Sequence, residues 1–418
     1  MQGRTCEWRE CHAADQVWGA LLLSSSANSQ VGGEVPPLVP EGVRRVLFVL
    51  WSGKPGGAEN HALRLSRFLS MRGVQVEVAF LSSADETGDS LRSLGISYRA
   101  FGMRGALDLR RLLRFVRYVS RSRAEIVHLH QATPYLAELL CRTASQPILY
   151  TEHTSLVPRG RLRRLLWSRS LRACRRLLFV SESQKVLFEA RGLVDPGVGL
   201  VIPLGVDERV YHRGCDGAAA RQEHGYTPDD FVVGYFGRFE AFKRIDLLLT
   251  AASRLAGDWP SLRVLVVGFG PTEDGLRALA AELGLGDVVR FVVCPSRVSE
   301  LQACVDVLVH PSEHESLGLS VIEAMGMGKL VVVAPYESAR EVVEHGCDGY
   351  VLEDWSVEVL QRVLLQIRCT PQRSVEMGMN AADKVVARFG DAVCFGRLSA
   401  VYRSLRGEVV DDMERRES

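Results

Sequence analysis

Glu315 and Glu323 stand eight positions apart in 309-VHPSEHESLGLSVIEAMGMGKLVVVA-334, and their types and spacing could do chemistry. The segment reads as a strand, a polar loop, Gly318, a helix and a second strand. This places Glu315 on the loop and Glu323 about one turn into the helix. Two acids so arranged can accept hydroxyls at separated points of one elongated polyol. Between them, beside Ser316, the backbone N–H groups around Gly318 and Leu319 sit at a helix start, where they favour phosphate oxygens. The competing account is a solvated loop acid and a helix-surface acid.

A diphosphate also needs cations, and 234-GYFGRFEAFKRID-246 supplies Arg238 and Lys243 on a loop between a strand and a helix. Arg238 offers a planar fork and Lys243 a point charge. Both could be ordinary surface cations, but positive charge near a helix start opposes the macrodipole, and that misfit points to an anionic ligand. In the other half, Gly56-Gly57-Ala58-Glu59 follows the first strand and opens a helix. Glycine there lets the backbone approach an anion, or simply makes a turn. No G-x-G-x-x-G run and no ribose-binding acid accompany it, so a nicotinamide cofactor is not expected. His128 and His130 end a strand on one face of its pleat, which leaves an acceptor contact open beside a purely structural role.

The elements that must position these residues alternate between short β-branched runs and longer amphipathic ones, the pattern of βαβ units around a parallel sheet. At 418 residues, two such domains are expected. Strands are predicted over 45–51, 74–81, 126–130, 147–151, 177–181 and 199–203, then over 231–236, 262–268, 288–293, 305–311, 330–334 and 349–353. The fold class is therefore α/β, two facing Rossmann-like domains with parallel sheets, and ligands should lie at the carboxyl ends of the strands. The boundaries predicted are a disordered extension over 1–43, a domain over 44–205, a linker over 206–230, a second domain over 231–385, a helix over 386–407 and a tail over 408–418.

Composition narrows the function classes. Apolar residues make up 47% and charged residues 24% of the chain, with a net charge of +1, which suits a packed globular protein. The charge is uneven: residues 101–180 hold sixteen Arg and no Lys against four acids. The basic segment 159–176 can form a helix in which Leu162, Leu165, Leu166, Trp167 and Leu171 share a broad apolar side flanked by Arg. That suits an anionic membrane surface, or else a core-packed helix with a solvated basic face. Nucleic acid is not expected, because the segment lacks interleaved aromatics or a known binding module. The ten cysteines include no C-x-x-C pair, and Cys6, Cys11 and His12 lack a second ligand pair, so no metal site is expected and free thiols in a reducing compartment are. No apolar run is long enough to span a bilayer. The expected location is cytoplasmic, peripheral on the inner face of the membrane.

From about residue 46 to 405 the chain resembles the retaining glycosyltransferases of family 4, which have the two-domain GT-B fold. The hallmark E-x7-E element is met at His310, Pro311, Ser312, Glu315, Ser316, Gly318, Leu319, Glu323, Ala324, Met325 and Gly328. Gly56 to Glu59, the G-R-x-x-x-x-K segment at Gly237, Arg238 and Lys243, the V-G-x-G-P turn over 267–271 and I-P-x-G-V-D over 202–207 also fit. Two positions depart from the family pattern: Leu204 replaces an Asn, and 335-PYESAR-340 replaces a Gly-Gly pair.

The resemblance implies that Arg238 and Lys243 hold the diphosphate, Glu315 contacts the hexose and Glu323 binds the ribose. Gly57 would approach the phosphate from the first, acceptor-binding domain, His153 would lie by the donor sugar, and the C-terminal helix would cross back to the first domain. It further implies transfer of a hexose from a UDP- or GDP-hexose to an acceptor hydroxyl, with no metal and no cofactor beyond the nucleotide sugar as substrate; the basic first domain best fits a glycan or lipid-linked acceptor of capsular or lipopolysaccharide-type synthesis. A phosphorylase or sugar-nucleotide epimerase would share the architecture, but a pyridoxal-lysine motif is missing. The alternative from another class is a catalytically silent GT-B subunit that acts as a binding partner.

Overall fold

The computed structural model describes residues 42–105, 108–130, 134–158, 160–293 and 297–417. The predicted extension lies almost wholly outside these residues, as do Cys6, Cys11, His12, Arg159 and Cys294. The chain divides into two units: residues 42–205 together with the C-terminal helix Asp391–Glu417, and Val206–Gly390.

The first unit is built on a parallel sheet of β1 (Arg45–Leu50), β2 (Gln75–Phe80), β3 (Ser97–Ala100), β4 (Ile126–His130), β5 (Ile148–Glu152), β6 (Arg176–Phe179) and β7 (Leu200–Val201), in the order β3-β2-β1-β4-β5-β6-β7. β1, β4 and β5 are buried along almost their whole length, as strands covered on both faces by helices must be, and this is why they read as near-continuous apolar runs. β3 was not expected, because its Ser-Tyr-Arg-Ala carries no apolar periodicity and lies mostly exposed at the sheet edge. Chain order reverses between β1 and β4, so the loop before helix Gly57–Ser70 and the end of β4 flank the switch point. One sheet face packs Phe48, Leu65 and Phe80 against Phe395, Leu398, Tyr402 and Leu405 of the C-terminal helix. The other face gathers Val49, Phe115, Leu129, Tyr150 and Phe188.

The second unit repeats the plan with β8 (Phe231–Phe236), β9 (Leu262–Val267), β10 (Val289–Val292), β11 (Val307–His310), β12 (Leu330–Val333) and β13 (Tyr350–Val351), in the parallel order β10-β9-β8-β11-β12-β13. Its switch point falls between β8 and β11, the strands that feed the Arg238–Lys243 loop and the Glu315 loop.

Three local expectations change. Residues 206–230, read as a linker, contain helix Ala218–Glu223, and Arg221 in it pairs with Asp306 at 2.6 Å. Its Ala-rich run is a good helix former masked by flanking Gly and Asp. The helix expected over 386–407 is the later part of two: Pro371–Arg388 ends before Gly390, and a new helix runs Asp391–Glu417 through the expected tail. A Cβ at 390 would lie 1.8 Å from Glu208 Oε1, so a larger residue there requires the Glu208 side chain to move. Helix Arg161–Ala173 does not present one apolar side: Leu171 is buried and Trp167 packs on the core, whereas Leu162 and Leu165 are 68% and 58% exposed. At about 100° per residue, Leu162 lies roughly opposite Leu171.

Phe395 fastens the C-terminal helix through edge contacts with Phe68 and His61, at centroid distances of 5.0 and 5.6 Å. Phe395→Ala is expected to lower the unfolding free energy in urea by about 3–5 kcal/mol; a loss under about 1 kcal/mol would show that the helix is dispensable to the first unit.

Candidate active site

In the second unit, two loops leave the carboxyl ends of β8 and β11 and are laced together. Lys243, in the 3-10 turn Ala241–Lys243, pairs with Glu315. Arg244 Nη1 lies 3.2 Å from Glu313 Oε1, and the Glu313 N–H donates to the Phe242 carbonyl at 2.8 Å. Arg244 itself adopts a left-handed conformation with φ 50°, unusual for a residue with a side chain, and forks onto Asp246.

Glu315 is the centre of this lacing. His310 Nε2 lies 2.6 Å from its Oε1, and Ser312 Oγ donates to the same oxygen at 3.3 Å. Lys243 also takes Oε1, so all three side-chain bonds fall on one oxygen and Oε2 carries none of them. Burial pushes the carboxyl up, but the Lys243 ammonium and the His310 hydrogen bond outweigh it and hold Glu315 at about 2. His310 is held below the ordinary imidazole value, chiefly by burial. Its ring stacks parallel to Tyr235 at 6.1 Å and meets Tyr336 edge-on at 5.8 Å.

Gly318 caps helix Leu319–Gly326 in the left-handed region, φ 85°, and a Cβ there would come within 2.9 Å of the Tyr336 hydroxyl. Both constraints require glycine, and they leave the helix N-terminus without a side-chain cap, open to an anion. Ser316 and Leu319 flank this turn, half-buried. Glu323 lies one turn into the helix and accepts from Gln302 Nε2 at 3.3 Å. Arg238 stands apart from the Lys243–Glu315 pair: its guanidinium is 58% exposed and reaches Glu240 at 3.1 Å.

In the first unit, Gly57 is the first residue of helix Gly57–Ser70, whose N-cap, Gly56, supplies no side-chain hydrogen bond. The same helix carries His61 into a cluster of imidazoles. His61 lies 5.8 Å from the rings of both His130 and His153, and His130 Nδ1 is 3.1 Å from His153 Nε2. Burial keeps all of them neutral: His61, His128 and His130 are held far below the ordinary imidazole value and His153 at about 3. His128 is structural, with Nδ1 against the Tyr402 hydroxyl at 2.8 Å and Nε2 against Thr151 at 2.7 Å. Among the described residues, no group of three His, Cys, Asp or Glu is placed to hold a metal ion.

Residues 217–384 match the profile of glycosyl transferases group 1, and residues 55–210 that of glycosyltransferase family 4. A D-inositol 3-phosphate glycosyltransferase of Geodermatophilus obscurus is 32% identical over 344 residues, 72% of this chain and 75% of that protein. The chain belongs to glycosyltransferase family 4. A D-inositol 3-phosphate glycosyltransferase of Segniliparus rotundus is likewise 32% identical, over 226 residues, 52% of this transferase and 50% of its own length. Among solved structures, Anabaena HepE in complex with UDP-glucose superposes with a TM-score of 0.77 at 23% identity, covering 86% of this chain and 99% of its own. At that identity the likeness establishes the GT-B fold, two parallel-sheet α/β domains.

His310, Ser312, Tyr336, Gln302 and His61 received no role from sequence reasoning. The first two lie inside the hallmark pattern and Tyr336 inside the departing segment 335–340, which were the available signals; Gln302 and His61 come from distant segments.

Lys243→Ala is expected to raise the Glu315 pKa above about 2, because burial is then opposed by His310 alone. In the wild type, the stabilisation linked to this depressed value is present above the ordinary value and lost as pH falls through about 2. Carbon-13 titration of the Glu315 carboxyl reads the shift; an unchanged value in the variant contradicts the pairing.

Proposed function

We propose that this transferase moves a hexose from a UDP- or GDP-hexose to an acceptor hydroxyl with retention of anomeric configuration. The observation that carries the reading is Glu315, ionised by Lys243 and His310 through one oxygen, with Oε2 left for sugar hydroxyls beside the uncapped helix start at Gly318. Lys243 and Arg238 take the diphosphate, with the N–H groups near Ser316, Gly318 and Leu319. Glu323 takes the ribose. By the family resemblance, Gly57 and the neutral His153 of the first unit serve the phosphate and the hexose. HepE, which binds UDP-glucose, supports a nucleotide hexose as donor.

The acceptor oxygen attacks the anomeric carbon on the face from which the nucleotide departs. The bond from that carbon to the phosphate oxygen breaks, and the acceptor proton passes to the departing phosphate. No protein nucleophile takes part, so catalysis is electrostatic stabilisation of charge on the leaving diphosphate. Two cations and a helix end supply it, and the scheme requires no divalent metal.

The acceptor reading is a glycan or lipid-linked hydroxyl at an anionic membrane face, in cell-surface glycan or glycolipid synthesis. It is supported by Leu162 and Leu165 on the Arg-rich helix Arg161–Ala173 and by Leu109 and Leu113, 64% and 66% exposed, on the Arg-rich helix Leu109–Arg121. A phosphorylated polyol is the second reading, favoured by the D-inositol 3-phosphate transferases among the relatives.

A melting-temperature and hydrolysis screen of UDP- and GDP-hexoses without added metal tests the donor. One nucleotide hexose is expected to stabilise the wild type and be turned over, and Arg238→Ala to lose on the order of 10² to 10³ in kcat. If none binds, the silent-subunit reading replaces this one. For the acceptor face, the protein is expected to sediment with phosphatidylglycerol vesicles at low salt and not with neutral ones, and Leu162→Glu with Leu165→Glu to abolish this. Failure to sediment, with transfer to D-inositol 3-phosphate, favours the second reading.

A further inference from the structure

The chain that follows β5 is held in an unusual way. Glu152, the last residue of β5, is fully buried, and its carboxylate turns back on its own backbone. Its Oε1 accepts the N–H groups of His153 and of Thr154, both at 3.0 Å. From the other side, the fully buried Gln184 donates from Nε2 to the Thr154 carbonyl at 2.9 Å. Gln184 is itself fixed, because its Oε1 accepts the Val180 N–H at 2.9 Å and its own N–H reaches the N-cap hydroxyl of Ser181 at 3.2 Å. Two buried polar side chains, one from a strand and one from the first turn of helix Glu182–Ala190, therefore bracket two residues of loop.

Such an arrangement is costly unless it serves placement. An apolar residue at the end of β5 would fill the same core with no carboxylate to desolvate. The groups that face Glu152 are the Tyr150 hydroxyl at 3.5 Å on its own strand, the Trp167 indole from helix Arg161–Ala173 and the two loop N–H groups. Among the described residues no Lys or Arg pairs with it. The His153 ring in turn meets His130, so a backbone shift at 153 would carry the imidazole with it.

We propose that Glu152 and Gln184 are positioning residues that set the turn at 153–154 and so fix the placement of the His153 imidazole. The inference rests on the reading of His153 as a donor-sugar contact only for its catalytic consequence; the placement itself is a property of the first unit. A second consequence concerns pH. Burial pushes the Glu152 carboxyl up to about 7 against the opposing loop N–H groups. Because the folded value lies above the ordinary 4.5, the associated stability is complete below that value and is lost as pH rises through about 7.

The test uses the full chain labelled with nitrogen-15 histidine, with UDP-glucose hydrolysis as the kinetic probe. Glu152→Ala and Gln184→Ala are expected to shift the His153 ring resonances and to lower kcat on the order of 10-fold. Glu152→Gln, which keeps an acceptor oxygen, is expected to restore both and to flatten the fall in melting temperature between about pH 5 and about pH 8. Leu193→Ala, a core truncation elsewhere in the first unit, controls for lost stability and should leave the His153 resonances in place. If Glu152→Ala behaves like Leu193→Ala, lowering the melting temperature without moving the His153 signals, the positioning role is overturned. His153→Ala separates the two readings: full activity in that variant contradicts the donor-site reading, while the resonance shifts still decide the positioning one.

Discussion

The pairing of Lys243 with Glu315 is the interaction that ties together the two loops of the second unit's proposed donor site. It joins the loops that leave the two strands at the switch point, and it does so at a place where neither charge is fully hydrated. Removing one partner of such a pair leaves the other charge uncompensated, which is why loops on both sides carry further ties, Arg244 to Glu313 and Glu313 to the Phe242 carbonyl. Keeping Glu315 ionised is the chemical result. In the proposed donor site such a carboxylate is a strong acceptor for hydroxyls, and the protein donors on Oε1 leave Oε2 for them.

The first unit solves a different problem by a different route. Its histidines carry no charge because burial outweighs everything that could charge them, and mutual proximity adds to the effect. Neutral rings can crowd: His128 and His130 stand with centroids 4.0 Å apart, which two imidazolium ions would not tolerate. The result is a block of closely packed, uncharged imidazoles at the carboxyl ends of β4 and β5.

Much of this was legible in the sequence. All six strands of the second sheet and every strand of the first except β3 were predictable, chiefly because strands buried on both faces leave uninterrupted β-branched runs. The loop place of Glu315 and the helical place of Glu323 followed from the glycine at 318, whose left-handed turn permits the abrupt change from loop to helix. What escaped reading depends on contacts between distant segments. β3 exists because the edge of β2 offers it hydrogen bonds, not because its own residues prefer a strand. The split at Gly390 falls where the backbone pairs with Val206, nearly two hundred positions earlier in the chain. The inward turn of Trp167 and Leu171, which divides an apparently single apolar face, is fixed by the core they meet. The site itself was read as a set of residues. Which of them touch, Lys243 with Glu315 while Arg238 reaches Glu240, is a matter of loop conformation that spacing does not encode.

The proposed donor site requires Lys243 and Glu315 to act as one unit in transfer. A double-mutant cycle on kcat/KM with Lys243→Ala, Glu315→Ala and the combination tests it most directly. Residues that act together lose their joint contribution once either is removed, so the double variant is expected to be little worse than the more damaged single one. If the two losses multiply instead, the groups act independently, and the pairing that organises this account is incidental to the chemistry.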